Sequence, residues 1–231
     1  MKTIGLIGGM SWESSLEYYR IINQVIREKL GGYHSARILM YSFDFSEIAE
    51  LPDKGGWGET AALIIVAARK LEKAGADVLL ICTNTMHKVA EEVQDNVGIP
   101  LLHIADTAAE QIKARGLKKT GLLGTIFTME DDFYKERLAE KHGLETIVPD
   151  EQERQIINNV IYNELCCGQI RKSSKKEFRK IMQNLAVKGA EGIILGCTEI
   201  CLLVNQQDVE IPVFDTTTIH ATAAAVFALD Q

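Results

Sequence analysis

The first half of this chain is faintly repeated in the second. Gly75-Ala76-Asp77-Val78-Leu79-Leu80-Ile81-Cys82-Thr83-Asn84 corresponds to Gly189-Ala190-Glu191-Gly192-Ile193-Ile194-Leu195-Gly196-Cys197-Thr198, an offset of 114 residues that also pairs Leu71 with Leu185. Ile4-Gly5-Leu6-Ile7-Gly8-Gly9 corresponds to Thr120-Gly121-Leu122-Leu123-Gly124-Thr125 at an offset of 116, with Tyr18 falling on Tyr134. Val97-Gly98-Ile99-Pro100 corresponds to Val209-Glu210-Ile211-Pro212 at an offset of 112. Three matches in one order at nearly constant offset point to a duplicated fold. Equivalent loops of such a fold usually line one cleft, and the register sets Thr83 opposite Cys197. A thiol facing a hydroxyl is the chemistry to be explained.

Within each half, short apolar runs alternate with longer periodic segments. Strands are expected at 4–8, 37–42, 78–82 and 101–104, and again at 120–123, 145–148, 192–196 and 212–215. The segments 57–74 and 176–188 place apolar residues at three- and four-residue spacing, as amphipathic helices do. Gly75 and Gly189 follow them in the place of C-terminal caps. The strands are too continuously apolar for a sheet with one wet face. An α/β fold is expected, of two pseudo-symmetric halves, each a mostly parallel four-stranded sheet flanked by helices. The segment 116–119 is the best break along the chain. The halves are expected to comprise 1–98 with 210–231, and 99–209.

A chain of 231 residues can bury a substantial core. No apolar run approaches the ~18 residues of a membrane span, and the N-terminus lacks a signal-peptide pattern. Five cysteines is an odd number, two of them adjacent (Cys166 and Cys167), which favours a reducing cytoplasm over a disulfide framework. The formal charge of −7 argues against nucleic acid or an anionic membrane as partner.

Ligands of α/β folds sit at the carboxyl ends of the strands. Gly8-Gly9-Met10-Ser11, Thr83-Asn84-Thr85 and Cys197-Thr198-Glu199 would occupy that rim. Gly8-Gly9 lacks the G-x-G-x-x-G spacing of a dinucleotide site, and Ser11 is placed to cap the following helix. The cysteines with His87 and His220 form no metal-ligand pattern, so no metal is expected. Most of the cysteines read as small core residues. Cys197 differs: it ends an apolar run ahead of polar Thr198-Glu199, where a helix N-terminus would favour its thiolate. Cys82 competes with Thr83 for the opposing position. Only one of two successive strand residues can point as Cys197 does, and the Gly-Ala anchors select Thr83.

These residues carry a family resemblance over essentially the whole chain. Ile4-Gly5-Leu6-Ile7-Gly8-Gly9-Met10-Ser11-Trp12-Glu13-Ser14, Cys82-Thr83-Asn84-Thr85-Met86-His87 and Gly196-Cys197-Thr198-Glu199 together resemble the cofactor-independent aspartate/glutamate racemase superfamily. The match is to its aspartate-racemase and broad-specificity amino-acid racemase branch. The resemblance implies two α/β halves facing across a cleft, no cofactor, an amino-acid substrate and a homodimer. It also implies two cysteines flanking the substrate α-carbon, with Met10, Ser11, Asn84, Thr85 and Thr198 around the substrate. The chain departs from that pattern at Thr83, where the first cysteine is expected, which leaves Cys197 as the working base for the L-enantiomer. Two cations of acid-specific relatives are also missing: Ile48 or Ala49 stands at one position and Cys166 at the other. Two alternatives share the fold: a single-cysteine enzyme of the arylmalonate decarboxylase or maleate isomerase type, and an inactive ligand-binding homologue.

Overall fold

Seven of the eight expected strands form, and every strand pairing is parallel. The computed structural model describes residues 1–52 and 54–230. It divides into two units, Met1–Ile104 with Thr217–Gln231, and Ala105–Thr216.

The first unit runs β1 (Thr3–Gly8), α1 (Trp12–Leu30), β2 (Arg37–Ser42), α2 (Trp57–Lys73), β3 (Val78–Ile81) and α3 (Ala90–Gln94), with sheet order β2-β1-β3. The chain then passes through α4 (Ile104–Ala114) into the second unit. There it forms β4 (Lys119–Gly124), α5 (Ile126–Glu130), α6 (Asp132–His142), β5 (Glu145–Ile147), α7 (Glu151–Asn163), α8 (Lys172–Val187), β6 (Gly192–Gly196), α9 (Ile200–Leu203) and β7 (Val213–Asp215), with sheet order β5-β4-β6-β7. Finally α10 (Thr216–Leu229) rejoins the first unit. Both sheets therefore put the unit's first strand between its second and third.

The ladders settle the register of the repeat. Ile7 pairs with Ile81 in the first sheet and Leu123 with Leu195 in the second. Those pairs are each other's counterparts at offsets 116 and 114. Thr83 therefore lies two residues beyond Ile81, as Cys197 does beyond Leu195. Burial agrees. Leu79 and Ile81 pack with α2 residues such as Ile64 and Ala68, whereas Val78, Leu80 and Cys82 pack with Tyr18 and Ile22 of α1 and Ala221 and Ala224 of α10. Strand alternation explains the split.

One expectation needs correction. The strand expected at 101–104 is reduced to one bridge, Leu79 to Leu101. The Leu102 amide still donates to the Leu79 carbonyl (3.0 Å), but the ladder goes no further, because the Leu102 carbonyl is taken by His220 Nε2 (2.9 Å) and Ile104 already opens α4, its amide donating to His87 Nε2 (3.2 Å). The first sheet is thus three-stranded. The chain divides into its two units at 104/105 and 216/217. The Leu79 amide bonds the Pro100 carbonyl, and β7 pairs with β6, so each segment stays with the sheet it extends.

His220 has a thermodynamic consequence. It is fully buried, accepts from Tyr18 Oη at Nδ1 (2.8 Å), and burial, with His87 nearby, lowers its pKa to about 3. The unfolded chain binds a proton near pH ~6.5 that the native chain refuses. This stabilisation is present above that pH and is lost as pH falls toward the folded value. At pH 5 the loss should reach about 2 kcal/mol, from 1.36 kcal/mol per pH unit. Thermal midpoints measured between pH 7 and 5 should drop more steeply for the native sequence than for His220→Gln. Parallel slopes would show that His220 does not carry the acid sensitivity.

Candidate active site

At the carboxyl end of β1 the chain turns through Gly9, whose φ is +84°. A side chain there would strike the backbone of Phe43, so the turn requires glycine. Ser15 Oγ accepts from the Gly9 amide (2.8 Å) and donates to the Ser11 carbonyl (3.0 Å). Ser11 caps α1 as expected, accepting from the Ser14 amide (3.4 Å). Ser14 Oγ donates to the Cys82 carbonyl (2.9 Å), which ties this turn to the end of β3. Met10 and Ser11 are both buried.

Thr83 is half-buried and follows β3. Asn84 and Thr85 are buried at the head of a 3-10 turn, Thr85–Val89. Cys82 lies 1% exposed in the α1–α10 core, and burial drives its thiol pKa far up. A thiol so desolvated does not ionise near neutrality. His87 is no spare base either. Its Nδ1–H donates to the Thr83 carbonyl (2.7 Å), and its Nε2 accepts from Ile104.

In the second unit Cys197 follows β6 and is 9% exposed. Its thiol donates to Glu199 Oε2 (3.0 Å), and Thr198 Oγ1 donates to the same oxygen (2.7 Å). The expectation of a dipole-stabilised thiolate is overturned. The helix beyond, α9, spans four residues, while burial, the Glu199 charge and the bond to Glu199 raise the Cys197 pKa well above the ordinary thiol value. The resting pair is a thiol beside a carboxylate. Cys201, the counterpart of His87 at offset 114, donates to the Thr198 carbonyl (3.0 Å). Thr198 thus has its hydroxyl and carbonyl both engaged inside the loop.

Glu199 is the residue that sequence reasoning passed over. It was visible two positions after the thiol, but nothing in a linear pattern says that a carboxylate will fold back onto its own motif. The positions of the two missing cations are apolar here: Ile48 is fully buried in the α2 core, and Cys166 packs against the core cluster containing Cys197. Among the described residues, no group of three or more His, Cys, Asp or Glu side chains could hold a metal ion. No helix among them is long and apolar enough to cross a membrane.

Comparison with known proteins agrees with this architecture. The Asp/Glu/hydantoin racemase family model matches residues 7–224. The broad-specificity amino-acid racemase RacX of Bacillus subtilis (strain 168) is 25% identical over 220 residues, covering 93% of this chain and 92% of the relative. A Yersinia pestis structure described as that of a candidate Asp/Glu racemase superposes with a TM-score of 0.94 at 56% identity, covering 100% of both chains. An aspartate racemase homologue from Pyrococcus horikoshii OT3 gives 0.87 at 39% identity, again over 100% of both. With the family pattern matched across both units, the chain belongs to the Asp/Glu/hydantoin racemase family and is an isomerase of that family.

Proposed function

We propose that this protein is a cofactor-independent amino-acid racemase in which Cys197 abstracts the α-proton of the L-enantiomer and Thr83 serves the opposite face. The thiol–carboxylate contact between Cys197 and Glu199 carries the reading. Proton transfer from Sγ to Oε2 makes a thiolate without releasing a proton to solvent. The thiolate then takes the α-proton, leaving a planar carbanion whose charge spreads onto the substrate carboxylate. Backbone and side-chain donors at Met10, Ser11, Asn84, Thr85 and Thr198 hold that carboxylate, where stabilisation of developing charge matters most. Thr83, directly or through water, delivers a proton to the other face. Its hydroxyl is no resting base at neutral pH.

The substrate class extends to neutral side chains. Ile48, Ala49 and Cys166 give an acidic side chain no cation, and the relative from B. subtilis is named for broad specificity. Work in a reducing cytoplasm fits five free thiols, one of them exposed at Cys167. A homodimer fits the exposed stripe Trp12, Leu16 and Tyr19 on α1. The reading is tested by incubating the protein with single L-amino acids in D₂O, followed by mass and chiral analysis. No exchange with any L-amino acid would overturn it.

Glu199→Gln separates relay from scaffold. Without the carboxylate, the thiolate must form by losing its proton to solvent, which the burial of Cys197 still opposes. L-exchange should fall at least about tenfold at pH 7, the scale of losing a proton acceptor, and recover as pH rises. A variant with native rate and native pH profile would remove Glu199 from the mechanism.

A further inference from the structure

We propose that His87 positions Thr83 for proton delivery, acting through the Thr83 carbonyl. This rests on the reading above and names the part of the first unit that makes its second face work.

Thr83 stands beyond the last β3 residue, Ile81, so no ladder bond fixes it. His87 supplies the missing restraint. Its Nδ1–H donates to the Thr83 carbonyl at 2.7 Å, and its Nε2 accepts from the Ile104 amide at 3.2 Å. This pattern fixes the neutral tautomer. The ring is 3% exposed and wedged edge-on against His103 (4.6 Å between centroids) and His220 (5.7 Å). His220 is itself held by Tyr18 and the Leu102 carbonyl. Thr83 is thereby clamped through a rigid ring to the segment 102–104. In the second unit Cys201 occupies the His87 position of the repeat but bonds the carbonyl of Thr198, the counterpart of Asn84, while the Cys197 carbonyl accepts from the Ile200 amide (3.2 Å). The side-chain clamp is thus particular to Thr83. A hydroxyl that must hand over a proton needs close placement, because displacement by ~1 Å can cost ~10²-fold.

The experiment uses two substitutions that each keep half of the clamp. His87→Asn sets an amide N–H near the Nδ1 position and retains the bond to the Thr83 carbonyl. His87→Gln reaches the Ile104 amide and loses Thr83. L-exchange in D₂O reads Cys197 alone, whereas racemisation needs both faces. His87→Gln should keep L-exchange within about threefold of native while racemisation falls about 10- to 100-fold. His87→Asn should restore racemisation to within about threefold. Equal racemisation in the native and Gln proteins overturns the proposal. So does parallel loss of exchange and racemisation in either variant, since His87 would then serve the fold as a whole. Failure of the native protein to favour L- over D-exchange would instead strike the underlying reading.

Discussion

Replacing Cys197 with serine should abolish both L-exchange and racemisation. The substitution preserves shape and the bond to Glu199 Oε2, which the thiol makes at 3.0 Å. It removes the only group at that position whose proton a carboxylate can take, because a hydroxyl is far less acidic than a thiol of pKa ~8.5. The fall should be at least the ~10²–10⁴ attached to a positioned general base. Folding should survive, since Cys197 contributes one small side chain at the edge of the second unit's core. Cys82→Ser gives the contrast. That side chain packs among Tyr18, Leu80 and Ala221 on the opposite face of its strand, so the change should lower the thermal midpoint while leaving turnover nearly intact. A Cys197→Ser protein with more than about a tenth of the native rate, or a Cys82→Ser protein equally inactive, would reverse the assignment of the two cysteines; the tenfold line is set well inside the effect expected of a lost base.

Much of this was legible because duplication is a statement about backbone geometry. The offset that pairs Gly75 with Gly189 is reproduced residue for residue by the ladders, down to Ile7 with Ile81 and Leu123 with Leu195. Where the two halves differ, the repeat misled. Apolar 101–104 reads like 212–215, yet two buried histidines capture the Leu102 carbonyl and the Ile104 amide and end the strand after a single bridge. Those histidines lie 17 and 118 residues away in sequence from the groups they bind, so no local pattern could announce them. The protonation state of Cys197 failed for a similar reason. A helix N-terminus was foreseeable, but a four-residue helix is a weak dipole, and burial together with the carboxylate two positions on outweighs it.

Thr83→Cys should convert a one-sided enzyme into a two-sided one. In the mechanism proposed above only the L-enantiomer meets a competent base, so solvent deuterium should enter L-amino acids much faster than D-amino acids. The asymmetry must show in exchange and not in the equilibrium position, because microscopic reversibility fixes equal kcat/KM for racemisation of the two enantiomers. Cys197 can return a deuteron to the face it came from without Thr83 taking part, whereas reversal from the D-side waits for a hydroxyl to act as base. A thiol at position 83 titrates near ~8.5 instead of far above neutrality, and it stands at the Cys197 position of the repeat. D-exchange should rise roughly 10²-fold or more, the scale of gaining a general base, and racemisation should rise with it. L-exchange should change little, since Cys197 and Glu199 are untouched. The new thiol would inherit a half-buried position whose carbonyl is already clamped by His87, so placement is not the obstacle. If the unmodified protein exchanges both enantiomers at equal rates, a second base already serves the far face, and Thr83 is not the residue that limits it.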